Sequence, residues 1–300
     1  MTRFHRLPRD LRDELTTAGL EPDEVLDHVF RALQEDLPGD DDVDTTSVAT
    51  IPADATGVGE FNAREPGIVA GLGVAAAVFH VVMGEAVTVS HRVPDGTPVA
   101  AGERVMVVSG PTRGLLTAER TALNFASHLS GVATATSHWV AALEGTRARV
   151  LDTRKTLPGW RALQKYAVRC GGGVNHRFGL ADLAMVKDNH VIAAGGAVPA
   201  YRAVREQFPD LPVEVEVTDL DQLRELLDVG CDRILLDNMS PEVMAEAVAV
   251  TAGRASLEAS GGLTLERARV VAETGVDFIS VGALTHSVNV FDLGLDLVEQ

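Results

Sequence analysis

Short apolar segments recur through the second half of the chain and are separated by sequence of helical character. Each has five residues, and the last four begin about 20 to 23 residues apart, the length of one strand, one helix and two short loops. The six segments are 148–152, 183–187, 213–217, 233–237, 256–260 and 277–281. Segments that are apolar on both faces are typical of a parallel sheet covered by helices. We therefore predict a β/α repeat that forms a barrel or a partial barrel.

The first half of the chain has a different pattern, which predicts a mixed α and β domain. Val25, Leu26, Val29, Phe30 and Leu33 follow helical spacing, so we predict an amphipathic helix that ends before Pro38. Further predicted elements are short antiparallel strands over 86–110 and a helix over about 115–143. The strand region resembles a biotinyl or lipoyl carrier module, but such a module needs an attachment lysine and none precedes Lys155.

One uncharged segment, 67–84, is long enough to test as a membrane span. It contains His80 and several glycines, and it is flanked by Glu65 and Glu85 where basic anchors are typical. We therefore predict a buried helix of a soluble domain.

Composition narrows the classes of function. The net charge of −17 disfavours a protein that binds nucleic acid or an anionic membrane, because both need a basic face. Two cysteines are too few for a disulfide scaffold or a closed zinc site. The N-terminal residues lack the apolar segment of a signal peptide. We therefore expect a cytoplasmic protein.

Polar residues occur at or near the carboxyl ends of the predicted strands. Because the carboxyl ends of parallel strands meet at one face of a barrel, we expect one site there. The residues are Asp152, Lys187, Glu216, Asp237 and Ser260, with Gly282 after the last segment.

Basic residues are concentrated between Asp152 and His190. This window has seven Lys or Arg residues and three Asp residues, a local charge of +4 in an acidic chain. All three lysines of the chain, Lys155, Lys165 and Lys187, lie within it. A retained lysine suggests a need for a compact or titratable cation, which arginine does not supply. The window predicts a small, strongly anionic ligand. Chance and surface solvation are the alternative for all three lysines, and this alternative is strongest for Lys165, which lies in helical sequence.

Two glycine-containing segments at consecutive strand ends complete the predicted site. Ser260–Gly262 and Gly282 with Ala283 lie between a strand and a helix, where exposed backbone amides can hold a phosphate. Glu216 and Asp237 end neighbouring strands and suit magnesium or ribose hydroxyls. Glu214 shares its side-chain direction with Glu216, so either glutamate could face the site. An ion pair with a nearby arginine is the structural alternative.

The run from Leu151 to His190, LDTRKTLPGWRALQKYAVRCGGGVNHRFGLADLAMVKDNH, closely resembles the signature of quinolinate phosphoribosyltransferases. The resemblance continues through VEVEVTDL, ILLDNM, EASGGL and ISVGALTHS, and it extends back to ERTALNFASHLSG, so it covers about 120–290. It implies the type II phosphoribosyltransferase fold. That fold is an N-terminal α/β sandwich domain, here 1–128 joined by the tail 287–300, plus an incomplete α/β barrel over 129–286.

The resemblance also implies the reaction and its residues. Phosphoribosyl passes from phosphoribosyl pyrophosphate (PRPP) to quinolinate, with decarboxylation to nicotinate mononucleotide, in a homodimer whose sites are shared between subunits; higher oligomers stay open. The implied catalytic residues are Lys155, Lys187, Glu216 and Asp237, the last two as ligands of Mg²⁺ bound with PRPP. The implied substrate-binding residues are these four with Arg120 from the partner subunit, Thr153, Arg154, His176, Arg177, Ser260, Gly261, Gly262, Val281, Gly282, Ala283 and His286, and the 5'-phosphate loop extends to Leu284.

Three other functions stay open at this point. A paralogue of the same fold would act on another pyridine such as nicotinate, but four carboxylate-binding bases favour a dicarboxylate. A barrel aldolase would use Lys187 as a Schiff-base amine. A binding protein without catalysis would have little need for so many charges at strand ends.

Overall fold

Two compact units make up the chain in the computed structural model, which describes residues 5–39 and 41–298. The first unit takes the residues up to Ala135, residues 162–171 and the residues from Val288 onward. The second takes 136–161 and 172–287. The predicted domains begin at Met1 and end at Gln300, both outside the described residues, and their limits stay a prediction.

The described helices are numbered in chain order. They are α1 (Arg9–Thr17), α2 (Pro22–Asp36), α3 (Thr45–Thr50), α4 (Leu72–Met83), α5 (Thr112–Ala142), α6 (Arg161–Cys170), α7 (Asp188–Ala194), α8 (Ala197–Gln207), α9 (Leu220–Asp228), α10 (Pro241–Thr251), α11 (Leu265–Ala272) and α12 (Ala283–His286).

The described strands are numbered in the same way. They are β1 (Thr56–Ala63), β2 (Gly67–Ile68), β3 (Thr88–Arg92), β4 (Pro98–Val99), β5 (Arg104–Pro111), β6 (Arg149–Leu151), β7 (Ala184–Val186), β8 (Val213–Val217), β9 (Arg233–Asp237), β10 (Ser256–Ser260), β11 (Phe278–Ser280) and β12 (Leu293–Leu297).

The first unit is built on a four-stranded antiparallel sheet of order β12-β1-β5-β3, with β2 and β4 as a separate pair. Phe61 of β1 packs edge-to-face against Phe79 of α4, with ring centroids 5.8 Å apart. The predicted amphipathic helix is confirmed as α2, and the strands predicted over 86–110 are β3, β4 and β5. Burial of these apolar faces forms the core of the unit.

Helix α4 confirms the buried helix predicted over 67–84. Ten of its twelve residues are buried, so it is apolar on all sides because it lies inside the unit. It begins after Gly71 and ends before Gly84, and both glycines have a positive φ. Among the described residues, the structure has no helix with the length and apolarity needed to cross a membrane.

The second unit contains a six-stranded parallel sheet of order β6-β11-β10-β9-β8-β7. Each predicted apolar segment contains one of these strands. Strands β6 and β7 form the two edges, and among the described residues no ladder joins them, as expected for an incomplete barrel. The parallel direction brings the carboxyl ends of all six strands to one face.

Candidate active site

A cavity of about 690 Å³ lies at the carboxyl ends of the strands of the second unit. Its lining includes every residue implied by the resemblance except Leu284, which is buried on α12, and Arg120, which is exposed on the part of α5 that belongs to the first unit. The predicted residues that line it are Thr153, Arg154, Lys155, His176, Arg177, Lys187, Glu216, Asp237, Ser260, Gly261, Gly262, Val281, Gly282, Ala283 and His286. Lys165 is buried on α6, in the first unit.

The cavity also contains residues that the sequence prediction missed. Most of these lie two positions before a predicted site residue, as Met185, Leu235, Glu258 and Ser280 do. Strand side chains alternate between faces, so residues two apart share a direction. That spacing is the signal that could have found them. Asn238 and Leu263 also line the cavity, in the loops after β9 and β10.

Two arginines form the cationic part of the cavity. Burial lowers the pKa of Arg177, and the neighbouring charge of Arg154 lowers it further. Among the described residues, the Nε atom of Arg154 is buried without a hydrogen-bond partner. Two like charges held close together, one with an unused donor, favour the binding of an anion.

His176 lies beside the arginines and contacts two buried glutamates. Its Nε2 atom is 2.8 Å from Glu214 Oε2 and 3.3 Å from Glu258 Oε2. Burial opposes a charge on the ring, whereas the two carboxylates draw a proton toward it and raise the pKa of His176. Of the two glutamates of β8, Glu214 therefore contacts His176, whereas Glu216 lines the cavity.

The main chain around His176 is fixed by Asp152, at the end of β6. The backbone N–H of His176 donates to Asp152 Oδ1 at 2.8 Å, and Asn175 Nδ2 donates to Asp152 Oδ2 at 2.5 Å. Asp152 is fully buried. This strand-end residue therefore positions the segment 175–177.

The acidic part of the cavity is formed by Glu216 and Asp237. Lys187 Nζ lies 3.5 Å from Glu216 Oε2, and Asp237 Oδ2 accepts a hydrogen bond from Asn238 Nδ2 at 2.8 Å. Burial raises the pKa of Glu216; Lys187 opposes this rise and Asp237 adds to it. Two mutually repelling carboxylates with hard oxygen atoms suit a divalent cation.

The loop after β10 depends on glycine. Gly261 has a φ of +98°, and a Cβ atom built there would lie 2.3 Å from Asn238 Oδ1. Both the backbone conformation and the approach of Asn238 therefore exclude a side chain. The result is a stretch of bare main chain that faces the cavity.

The loop after β11 lies against Lys155. A Cβ atom on Gly282 would be 2.9 Å from Lys155 Cδ, so glycine lets the lysine stem lie close to the main chain. Thr285 Oγ1 donates to the carbonyl oxygen of Lys155 at 2.7 Å, and the Lys155 N–H donates to Thr153 Oγ1 at 3.0 Å. The position of Lys155 is thus set by Thr153 in its own loop after β6 and by the segment that follows β11.

Comparison with known proteins gives matches along nearly the whole chain. Residues 44–130 match the family model for the quinolinate phosphoribosyl transferase N-terminal domain, and residues 132–296 match that for the C-terminal domain. The nicotinate-nucleotide pyrophosphorylase [carboxylating] of Mycobacterium leprae is 51% identical over 281 residues, which cover 92% of this chain and 98% of that protein.

Solved structures agree with this. The crystal structure of NadC from Streptococcus pyogenes has a TM-score of 0.87 at 38% identity, and the match covers 93% of this chain and 99% of that one. The nicotinate-nucleotide pyrophosphorylase from Francisella tularensis has a TM-score of 0.84 at 36% identity, and the match covers 98% of each chain.

Proposed function

Because the chain belongs to the quinolinate phosphoribosyltransferase family, we propose that the cavity of its second unit is where phosphoribosyl passes from PRPP to quinolinate. The products are nicotinate mononucleotide, pyrophosphate and carbon dioxide, in the biosynthesis of NAD. The observation that carries this proposal is the pair Arg154 and Arg177, which repel each other and include an unpartnered buried donor. Such a pair fits a dianion better than a single carboxylate.

Quinolinate binds at this cationic part of the cavity. Its two carboxylates receive charge-assisted hydrogen bonds from Arg154 and Arg177, each worth about 1.5 to 3 kcal/mol. These contacts hold the pyridine nitrogen in a fixed orientation toward the ribose. Orientation is most of what the protein has to supply, since the nitrogen is itself the nucleophile.

PRPP binds along the two strand-end loops. The bare main chain of Ser260–Gly262 and the loop from Val281 to Leu284 hold the 5'-phosphate, with His286 beside them. Lys155 lies against the second loop and places a compact cation next to the phosphates. Lys187, opposite Glu216, offers a second one.

Glu216 and Asp237 would hold the magnesium ion that accompanies PRPP. Their oxygen donors and their mutual repulsion fit a hard divalent cation. The ion supplies positive charge that stabilises the departing pyrophosphate. The same carboxylates also suit the ribose hydroxyls and the positive charge that builds on the sugar as its C1–O bond breaks.

Decarboxylation follows once the ring nitrogen carries the ribose. The quaternised ring can hold the electron pair left at C2 when carbon dioxide departs, and that pair then takes up a proton from water, which places hydrogen at C2 of nicotinate mononucleotide. Arg154 and Arg177 keep the carboxylates oriented until then. The chain thus needs no further cofactor for this step.

We infer that two subunits share each site, with Arg120 of α5 supplied by the partner in a homodimer. The exposed position of Arg120, in the other unit from the cavity, supports this. We also propose a cytoplasmic location, in keeping with the free thiols of Cys170 and Cys231.

One assay tests the proposed function. Quinolinate labelled at the 2-carboxylate should release labelled carbon dioxide only when PRPP and Mg²⁺ are both present. The purified full chain is used, with nicotinate as the alternative acceptor. Release of carbon dioxide without PRPP would contradict it. So would the formation of nicotinate mononucleotide from nicotinate but not from quinolinate.

A further inference from the structure

His176 is surrounded by protein groups on both ring nitrogens. Nε2 faces Glu214 and Glu258, and the backbone N–H of Arg177 donates to Nδ1 at 2.7 Å. The side chain is almost fully buried. Although the ring lines the cavity, both of its polar atoms are already engaged within the protein.

The hydrogen bond from the Arg177 amide decides which nitrogen carries the proton. An amide N–H can donate only to a nitrogen with a free lone pair, so Nδ1 carries no proton. The ring proton is therefore on Nε2, and it donates to Glu214 Oε2 at 2.8 Å. A doubly protonated ring would bring two N–H groups head to head at 2.7 Å, which is repulsive.

The same tautomer excludes a metal ion from this cluster. One atom each from His176, Glu214 and Glu258 lie within 4.8 Å of one another, a spacing that three metal ligands could have. A metal ion would need the lone pair of Nε2. With Nδ1 accepting from the main chain, Nε2 holds the proton and has no lone pair to offer.

The two carboxylates that raise the pKa of His176 draw an additional proton to the cluster. Because Nδ1 already accepts from the Arg177 N–H, that proton lies on Glu258 and not on the ring. The Oε2 atom of Glu258 is buried and, among the described residues, has no hydrogen-bond partner. Burial and the charge of Glu214 raise the pKa of Glu258. The other groups near the pair are Arg233, whose charge acts on Glu214, and Ser280, which hydrogen-bonds Glu258. A proton on Glu258 gives that oxygen a donor role toward Glu214 and leaves Nδ1 free.

These contacts make the ring a bridge between the strands and Arg177. Glu214 lies on β8 and Glu258 on β10, so two strands set the ring, and the ring in turn sets the amide of Arg177. Arg177 Nη1 donates to the carbonyl oxygen of Leu183 at 2.9 Å, which fixes the other end of that side chain.

We infer that His176 is a positioning residue, held as its Nε2–H tautomer between Glu214 and the Arg177 amide, and that it orients Arg177 instead of giving a ring nitrogen to the substrate. This assigns Glu214 and Glu258 to the support of the carboxylate-binding arginine. The functional half of the inference rests on the proposed function, whereas the tautomer does not.

The tautomer is tested on the full-length wild-type protein labelled with ¹⁵N-histidine. Long-range ¹H–¹⁵N correlation spectra, with the His176 signals identified by their loss in His176→Gln, should show a bare Nδ1 and a protonated Nε2. Adding quinolinate should leave that pattern unchanged. A proton on Nδ1, or loss of the Nε2 proton when quinolinate binds, would overturn the inference.

Kinetics test the positioning role. Glu214→Gln keeps an oxygen that accepts from Nε2–H, so the KM for quinolinate should stay within about threefold of wild type. Glu214→Leu removes the acceptor, and we expect that KM to rise about tenfold or more while the KM for PRPP is unchanged. Glu225→Leu, on the exposed face of α9, is the matched control.

Equal changes in both KM values for a folded Glu214→Leu variant, or a Gln variant as impaired as Leu, would count against positioning. If Glu214→Leu does not fold, the wild-type spectra still decide the question. A wild-type chain that releases no carbon dioxide from quinolinate would sink the proposed function but leave the tautomer result standing.

Discussion

Lys155 and Lys187 are the two lysines that line the cavity, whereas its other basic residues are arginines and histidines. Lys155 packs against Gly282, and Lys187 faces Glu216. A guanidinium is wider and planar, so charge alone will not replace either amine. We expect Lys155→Arg and Lys187→Arg each to lower kcat/KM at least about tenfold, which corresponds to about 1.4 kcal/mol.

The control for these substitutions is Arg224→Lys, which also conserves charge. Arg224 pairs with Asp221 and Glu246 on the surface of the second unit. Steady-state rates with both substrates should match wild type for this control. Near-normal rates for both lysine variants would refute the requirement for a compact cation.

Gly261 allows a separate prediction, for the phosphate loop. In Gly261→Val the side chain meets Asn238 and strains a backbone of positive φ, so the main chain cannot approach the 5'-phosphate. We expect the KM for PRPP to rise about tenfold or more and the KM for quinolinate to change little. Gly253→Val is the matched control, because Gly253 has a φ of +78° and no neighbour within 4 Å. Equal losses for both substrates would contradict the assignment.

Single residues also show what sequence patterns cannot predict about the site. The alternation in β8 predicts that Glu214 and Glu216 share a direction but does not distinguish the residue that meets His176 from the one that lines the cavity. Burial separates them, and the burial of Glu214 depends on groups outside β8, such as His176 and Glu258 of β10. Glu258 was missed because an isolated glutamate inside an apolar segment has no partner visible within that segment.

At the level of elements, α4 is held at its start by Asp95. This partly buried carboxylate accepts from the N–H groups of Gly71 and Leu72 at 2.8 and 3.0 Å and from the Tyr166 hydroxyl of α6 at 2.7 Å. Burial raises the pKa of Asp95, so these donors offset the cost of its charge. One side chain thus joins two helices that lie far apart in the chain.

We expect Asp95→Ala to lower the free energy of unfolding by about 3 kcal/mol, because three donors lose their acceptor. Asp95→Asn keeps one acceptor oxygen and should cost about 1 to 2 kcal/mol. Urea denaturation followed by circular dichroism measures both. Glu103→Gln, at an exposed turn where Glu103 accepts from the Ala100 N–H, should stay within about 0.5 kcal/mol. An Asp95→Ala variant as stable as this control would show that the hydrogen bonds to Asp95 contribute little to the free energy of unfolding.

Elements differ in how well the sequence predicts them. The strands of the second unit repeat one pattern with regular spacing, so local information is sufficient. Segment 162–171, which groups with the first unit, has no such signal, because its amphipathic pattern fits any apolar surface. The hydrogen bond from Tyr166 to Asp95 joins residues 71 positions apart, beyond the reach of any periodicity.

At the scale of the whole molecule, the proposed sharing of sites means that each site takes Arg120 from one subunit and Lys187 from the other. Substitutions of the two residues can therefore be combined in one mixed dimer. An Arg120→Ala subunit keeps an intact cavity but supplies alanine in place of Arg120 to its partner's site. A Lys187→Ala subunit supplies an intact Arg120 to its partner but lacks Lys187 in its own cavity. A mixed dimer then has one site that lacks both groups and one that lacks neither. With random exchange half of the dimers are mixed, so about a quarter of the wild-type activity should return in the unfractionated mixture and about half in purified mixed dimers, if the sites act independently.

The measurement requires co-expression of the two variants with different tags and purification of verified heterodimers. Each variant alone serves as the baseline, and unmixed variants combined in the assay control for slow exchange. Heterodimers as inactive as their parents would show that Arg120 does not act across a subunit interface.

The four-stranded sheet of the first unit has a consequence for how a ribosome makes the protein. Strand β1 pairs on one side with β12, where Phe61 lies opposite Leu295, and β12 comes after every residue of the second unit. At about 5 to 20 residues per second, the intervening chain takes on the order of ten seconds to emerge. During that interval β1 is an open edge, which is the state most prone to pairing with a neighbouring nascent chain. The barrel can therefore fold before β12, the last strand of the four-stranded sheet, has been synthesised.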